Sequence, residues 1–115
     1  METTRQQKIS RLIQRELSDI FQKETYTMFG GALITPTIVR IAPDLSVAKV
    51  YVSIFALQKS VNEVFEVIQT HVKKIRQTLA ARTGKQLRIV PELAFFIDDS
   101  LDYQENIENI LNQTK

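Results

Sequence analysis

A chain of 115 residues is the size of one domain and leaves little room for a second. The absence of cysteine excludes disulfides and thiolate metal sites, and no window approaches the roughly 20 apolar residues of a membrane-spanning helix, so we expect a soluble cytoplasmic protein with no membrane partner. The net charge of +2 is modest, but its uneven distribution allows one face to attract a polyanion.

The first predicted element is an amphipathic helix over residues 4–23. Its apolar residues fall on one broad arc: Ile9, Ile13, Leu17, Ile20 and Phe21. Arg5, Lys8, Arg11 and Arg15 fall together on the other side. A face that is merely solvated would more often mix charges of both signs, because like charges at these spacings repel one another. We therefore predict that this face binds an anion.

A β-hairpin follows the Gly30-Gly31 break. Residues 35–42 are rich in β-branched side chains, and residues 46–56 alternate with a period of two, so both segments are predicted strands. Pro43 and Asp44 between them supply turn chemistry, since proline presets φ and aspartate can bond its own backbone. We interpret these two residues as a turn and not as a site.

The pattern changes to a helical one from Val61 and ends near Gly84. The stripe consists of Val61, Val64, Phe65, Ile68, Val72, Ile75 and Leu79. One unbroken helix would be about 34 Å long, which is long for so small a domain. We therefore predict two helical segments that meet around residues 70–73, with Val72 buried near the junction.

A third strand is predicted over residues 87–98, interrupted by Pro91, and a final helix over about residues 100–113. A strand–helix–strand crossover makes the second and third strands parallel if they are neighbours. The fold class is therefore α+β, a single domain with helices packed on one face of a three-stranded sheet.

The parts of an active site are missing from this sequence. The single histidine, His71, has no acidic residue near it in the chain, and the three glycines form no phosphate-binding loop. Asp98, Asp99 and Asp102, with Glu105, could hold Mg²⁺, but helix capping explains them as well. We predict a protein that is not an enzyme and that uses no metal, cofactor or small-molecule substrate.

A second basic segment lies in residues 69–90, which contain no acidic residue. Its members are Lys73, Lys74, Arg76, Arg82, Lys85 and Arg88. Residues 91–110, by contrast, hold six acidic residues and no basic one. Because Lys and Arg bind RNA by displacing phosphate counterions, the two basic segments predict contacts to RNA backbone and shape.

Three motifs resemble the ribosome-binding factor A family. The hairpin Val-Arg-Ile-Ala-Pro-Asp-Leu-Ser-Val-Ala-Lys-Val-Tyr-Val-Ser at residues 39–53 resembles the family's hairpin signature. Leu-Arg-Ile-Val-Pro-Glu-Leu at residues 87–93, with Phe95 and Asp98, is similar to its third strand. Lys8-Ile9-Ser10 through Arg15-Glu16-Leu17 is similar to its first helix.

The resemblance implies a KH-like domain of type II topology, α-β-β-α-α-β, here with an added C-terminal helix. It also implies binding to free or immature small ribosomal subunits, late rRNA maturation including the 5′ end, and a need for the factor in cold growth. We expect the protein to be a monomer. The family's Ala-X-Gly kink between two helices falls at residues 71–73, where this sequence has neither the alanine nor the glycine. Two alternatives remain, a KH-like binder of another RNA and a protein adaptor that uses the acidic C-terminal face.

Overall fold

Helix α1 (Thr4–Lys23) opens the fold in the computed structural model, which describes residues 3–25 and 27–98. Thr3 caps the helix, because its hydroxyl accepts the Gln6 amide at 3.1 Å while the Gln6 side chain accepts the Thr3 amide at 2.8 Å. The apolar arc faces the core as predicted, with Ile9 half-buried and its other members buried.

Strands β1 (Leu33–Ile41) and β2 (Val47–Phe55) form the predicted antiparallel hairpin. In its turn, the Leu45 amide donates to the Ala42 carbonyl at 2.8 Å and the Ser46 amide donates to the Asp44 carboxylate at 3.1 Å. Leu45 has a φ of 64°, a left-handed conformation that closes the turn. Asp44 therefore acts in the turn as the sequence predicted.

A β-bulge interrupts β1 and decides which side chains reach the core. The register shifts after Pro36, which leaves Thr37 as an extra residue opposite β2. Pro36 is buried before the shift and Val39 is buried after it. Since a change of one residue exchanges the two faces of a strand, Arg40 would point into the core without this bulge.

The long helical pattern divides into the two predicted segments, α2 (Val61–Thr70) and α3 (Val72–Thr83), but a non-helical residue separates them, where the prediction was a shallow bend in a helical path. His71 between them is not helical, and its imidazole Nδ1 lies 2.8 Å from the Val67 carbonyl. The Thr70 hydroxyl donates to the same carbonyl at 2.8 Å. These side-chain bonds compete with the helical backbone bonds, which explains a junction without proline or glycine. Val72 was predicted to be buried near this junction; it packs against the core but is only partly buried.

Strand β3 (Glu92–Ile97) runs parallel to β2, as predicted, and completes a sheet with the order β1-β2-β3. The prediction that this strand begins at residue 87 is wrong. The Leu87 amide bonds back to the Thr83 carbonyl at 2.8 Å, and Pro91 has no amide to give to the ladder. The final helix predicted over residues 100–113 lies outside the described residues.

Within residues 3–25 and 27–98, the three helices pack on one face of the sheet, and no helix packs on the other face, which we refer to as the open face. The order α-β-β-α-α-β and the two-layer α+β arrangement are those expected for the type II KH-like domain. None of the described helices is long and apolar enough to cross a membrane. Between the layers lies the core, whose largest buried side chains include Ile13, Leu17, Phe21, Phe29, Val50, Val52, Ile68, Ile75 and Leu79.

Candidate nucleic-acid interface

The first turn of α1 is fixed to the end of β1 through a buried glutamine. Gln6 is 5% exposed, and its Nε2 donates to the Ile41 carbonyl at 2.9 Å. A buried amide that finds its partner stabilises the contact, whereas an unpaired one would cost about 1–3 kcal/mol. This anchor places Arg5 and Lys8, both exposed, beside the hairpin turn.

The loop over residues 84–91 is held in place by α3. Arg76 donates from Nε to the Pro91 carbonyl at 3.0 Å and from Nη2 to the Val90 carbonyl at 2.7 Å. Leu87 and Val90 are buried, so the loop turns the two residues between them outward. These are Arg88 and Ile89, and Ile89 is 76% exposed.

Arg88 joins the two basic segments that the sequence predicted. It lines a cleft of about 520 Å³ together with Arg5 and Lys8, and the same cleft has apolar walls at Leu87 and Ile89. It also lines a second cleft of about 380 Å³ together with Lys73 and Arg76 on α3. We refer to the exposed cations around these clefts as the basic edge: Arg5, Lys8, Lys73 and Arg88.

Four of the other predicted cations lie outside the two clefts. Arg11 and Arg15 are exposed farther along α1, and Arg15 Nε lies 3.8 Å from a carboxylate oxygen of Glu16. Lys74 is exposed on α3, and Lys85 is exposed in the turn that follows. These side chains can extend a cationic surface beyond the basic edge, but they do not line its clefts.

Arg82 is the predicted cation with the strongest internal partners. Its guanidinium donates to Glu16 at 2.9 Å and also to Asp19, so it connects α3 to α1. The hydrogen bond from Arg82 lowers the pKa of the Asp19 carboxyl, and Lys23 at 3.1 Å lowers it further. Arg82 is therefore already paired with two carboxylates of the protein, which makes it less available to an external anion.

One carboxylate lies among the cations of the larger cleft. Asp44 accepts from the Ser46 hydroxyl at 2.7 Å and from the Ser46 amide at 3.1 Å. These two bonds lower the pKa of the Asp44 carboxyl, the hydroxyl having the larger effect. The carboxylate stays ionised at neutral pH, with its lone pairs directed at its own turn.

Sequence reasoning missed two exposed cations on the open face of the sheet. Arg40 on β1 lies directly opposite Lys49 on β2. The period of two could have found Lys49, because it lies between the buried Ala48 and Val50. Arg40 could not be placed in the same way, since its orientation depends on the bulge.

The described residues form no group of three or more acidic or histidine side chains that could hold a metal ion. His71 bonds at the helix junction, and Asp98 accepts the hydroxyl of Thr37 from the neighbouring part of the sheet. The basic edge groups exposed cations around two clefts, an arrangement that suits recognition of a polyanion backbone.

Comparison with known proteins points to one family. The family model described as ribosome-binding factor A matches residues 5–111. Ribosome-binding factor A of Cytophaga hutchinsonii is 46% identical over 113 residues, covering 98% of this chain and 84% of the relative. The Flavobacterium johnsoniae protein of the same name is also 46% identical, over 96% of this chain and 85% of the relative.

Solved structures share the fold. The crystal structure of ribosome-binding factor A from Thermus thermophilus matches with a TM-score of 0.66 and 23% identity, over 80% of this chain and 94% of that one. A homology model of the Thermus thermophilus factor, fitted into a cryo-electron microscopy map of a complex of the 30S subunit with the factor, matches with a TM-score of 0.60 and 24% identity, over 76% of this chain and 89% of that one.

Proposed function

Because the chain belongs to the ribosome-binding factor A family, we propose that it binds free or immature small ribosomal subunits and assists late maturation of their rRNA, including processing of the 5′ end. The match to the family over residues 5–111 carries this proposal. The protein acts in the cytoplasm as a monomeric binding factor, without a cofactor, a small-molecule substrate or a catalytic step of its own.

The basic edge is the proposed contact with rRNA. Arg5, Lys8, Lys73 and Arg88 come from three parts of the chain and converge on two adjoining clefts. Clustered cations of this kind bind the phosphates of an RNA backbone. Binding is favourable because each cation that neutralises a phosphate releases a counterion. Ile89, exposed between them, adds an apolar contact of the kind that a ribose or an unstacked base can cover.

The remaining predicted cations have different parts in this proposal. Arg11 and Arg15 on α1, with Lys74 and Lys85 near α3, extend the cationic surface and add weaker contacts. Arg76 serves chiefly to hold the loop that presents Arg88, and Arg82 serves chiefly to hold α3 against α1.

Co-sedimentation with ribosomal particles tests the proposal. The protein should travel with free or immature small subunits and not with assembled ribosomes. In cells depleted of the protein, small-subunit rRNA extended at its 5′ end should accumulate, and restoring the protein should remove it. Sedimentation with assembled ribosomes would favour a different RNA-binding factor, and absence from all ribosomal particles would refute a ribosomal role.

A matched pair of variants tests the contact surface. Replacing Arg5, Lys8 and Arg88 by glutamine should weaken co-sedimentation while the thermal melting curve stays close to that of the parent. The control removes three exposed cations elsewhere, as Arg40→Gln, Lys49→Gln and Lys59→Gln. Equal losses in the two triple variants would mean that net charge alone, and not the basic edge, drives binding.

A further inference from the structure

The open face of the sheet carries three aromatic side chains. Tyr51 on β2 lies opposite Phe96 on β3, and their rings stack with centroids 5.3 Å apart and planes inclined at 28°. Phe55 lies four residues farther along β2, and because side chains alternate between the faces of a strand, it projects from the same face as Tyr51. Phe96 is 41% exposed and Phe55 is 56% exposed. Exposed rings on a sheet form the kind of surface on which the bases of an unpaired nucleic-acid strand stack.

A pair of like charges lies beside these rings. Arg40 on β1 and Lys49 on β2 are exposed and face each other across the antiparallel ladder, a position in which like charges destabilise a sheet. No ion pair within residues 3–25 and 27–98 involves either side chain. Lys49 precedes Tyr51 by two residues, so the two side chains leave the same face about 7 Å apart. An anion bound between Arg40 and Lys49 would remove the repulsion and lie next to the rings.

Carboxylates at the two ends of β3 limit where such an anion can bind. Glu92 is exposed at the start of β3, and Asp98, just after its end, accepts the hydroxyl of Thr37. Both carboxylates repel a phosphate, whereas the cations on β1 and β2 attract one. A nucleic-acid strand on this face therefore has its phosphates on the β1–β2 side and its bases over the stacked rings.

A nucleic acid fits this face better than an apolar protein segment does. Ile38, 41% exposed opposite Tyr51, extends the apolar surface onto β1, and an apolar segment could cover it together with the rings. Such a segment would leave the two cations without a partner unless it also carried carboxylates at matching places. Each nucleotide, by contrast, joins a phosphate to a planar base, so one strand satisfies both the cations and the rings.

We propose that the open face binds an unpaired segment of RNA, with bases stacked on Tyr51 and Phe96 and a phosphate between Arg40 and Lys49. The identification of the strand as RNA rests on the proposed function, since the unpaired strands of an immature small subunit are RNA of this kind. The basic edge then binds the backbone of folded rRNA, and the open face binds bases that have not yet paired. Mature free subunits need only the basic edge.

Binding of a fluorescein-labelled oligouridylate of about eight nucleotides, followed by fluorescence anisotropy in the full-length protein, tests the proposal. The variant Tyr51→Leu with Phe96→Leu keeps apolar side chains but removes both rings, so its affinity should fall roughly tenfold or more. The matched control, Tyr51→Phe with Phe96→Tyr, keeps both rings and should bind as the parent does. Thermal melting curves check that both variants are folded. Equal affinities of the two double variants would overturn the proposal and favour an apolar protein partner for this face.

Tryptophan fluorescence gives a local readout, because the chain has no native tryptophan. In a Phe96→Trp protein, oligouridylate should quench the emission as a base stacks on the indole, and adding Arg40→Gln with Lys49→Gln should weaken the quenching. An RNA duplex with the same number of phosphates should not quench it, because its bases are already paired and stacked on one another. Equal quenching by the duplex, or no quenching by oligouridylate, would contradict the proposal.

Co-sedimentation distinguishes failure of this proposal from failure of the proposed function. The double leucine variant should still travel with mature free small subunits, because its basic edge is intact, and so should Arg40→Gln with Lys49→Gln. If the parent protein did not travel with small subunits, the ribosomal role would be refuted, while the oligouridylate measurements would still decide whether the open face binds unpaired RNA. If the parent did travel with them but bound oligouridylate no better than the double leucine variant, only the role of the open face would be refuted.

Discussion

The Nε atom of Arg82, near the end of α3, lies 2.9 Å from Oε1 of Glu16 in α1. A second bond from the same guanidinium reaches Asp19, one turn farther along α1. The Arg82 side chain is 27% exposed and the Glu16 side chain is 20% exposed, so solvent screens this contact only in part. The ion-pair network fixes the distance between α1 and α3, the two helices that carry most of the predicted RNA-binding cations.

Arg82 and Arg88 should therefore separate stability from binding. Arg82→Gln removes both ion pairs between the helices and should lower the melting temperature by a few degrees, while binding to small subunits changes little. Arg88→Gln should do the reverse, with several-fold weaker binding and an unchanged melting temperature, because its side chain is exposed in the loop. Thermal melts and co-sedimentation measure the two effects. A large loss of binding in a well-folded Arg82→Gln protein would mean that Arg82 itself contacts the small subunit.

Asp19 should make the protein more sensitive to acid. Its pKa is lowered in the fold from an ordinary value of 3.8, first by the hydrogen bond from Arg82 and then by that from Lys23. A lowered carboxyl pKa stabilises the fold fully above the ordinary value, and the stabilisation is lost as pH falls through the lowered one.

We expect the free energy of unfolding to fall as pH drops below about 3.8, and to fall less steeply in Asp19→Asn. Denaturant titrations at several pH values from neutral to strongly acidic would measure the slope. Some slope should persist in the variant, because the pKa of Asp44 is lowered as well. Identical slopes in both proteins would show that the Asp19 ion pairs contribute nothing in solution.

Much of the fold can be predicted from the spacing of apolar residues, because α1 and the hairpin depend on local sequence patterns. The apolar arc of α1 and the turn at Asp44 are both properties of a few neighbouring residues. The loop over residues 84–91 does not follow in this way, since Ile89 and Val90 have the composition of a strand. Its shape depends on Arg76, whose guanidinium binds the Val90 and Pro91 carbonyls from another element.

The sequence predicted which cations belong to the candidate site, but not how the fold arranges them in space. The segment that contains Arg82 has basic residues and no acidic ones. The acidic partners of Arg82 lie more than sixty residues earlier in the sequence, on α1. The proximity of Arg5 and Arg88 likewise depends on how α1 packs beside the loop. Sequence separation hides such relationships, because the contacts form only when the layers pack.

The substitution Asp44→Asn should have almost no effect on subunit binding or rRNA maturation. Asparagine keeps the oxygen that accepts the Ser46 amide, so the turn persists, and removing the negative charge only makes the larger cleft more cationic. Binding to small subunits and rRNA maturation should match those of the parent at neutral pH. Asp44→Ala, which removes the acceptor, is the comparison that should lower stability. A folded Asp44→Asn protein that fails in rRNA maturation would make Asp44 a functional residue.

The salt dependence of binding should measure how many phosphates the basic edge neutralises. On a plot of log affinity against log salt concentration, the slope becomes flatter by roughly 0.7–0.9 for each phosphate that a variant no longer neutralises. Lys8→Gln and Lys73→Gln, on α1 and α3, should each have about this effect, and the two effects should add in the double variant. Lys59→Gln, an exposed cation outside the basic edge, should leave the slope unchanged. Parallel lines for all of these proteins would exclude direct binding of phosphate by the edge.

Gln14 should contribute to stability through the bulge in β1. Its Nε2 donates to the Pro36 carbonyl at 3.1 Å and to the Thr37 carbonyl at 3.2 Å, so one side chain satisfies the backbone where the ladder is interrupted. Gln14→Leu would leave both carbonyls without this donor and should lower the free energy of unfolding by about 1–2 kcal/mol. Denaturant titration measures this, with Gln7→Leu, an exposed position on the same helix, as the matched control. The bulge keeps Arg40 out of the core, so a weakened bulge should loosen the sheet locally. Backbone amides of β1 should then exchange faster than those of β3 in the Gln14 variant. Equal free energies of unfolding for the two leucine variants would mean that water replaces the Gln14 amide without loss of stability.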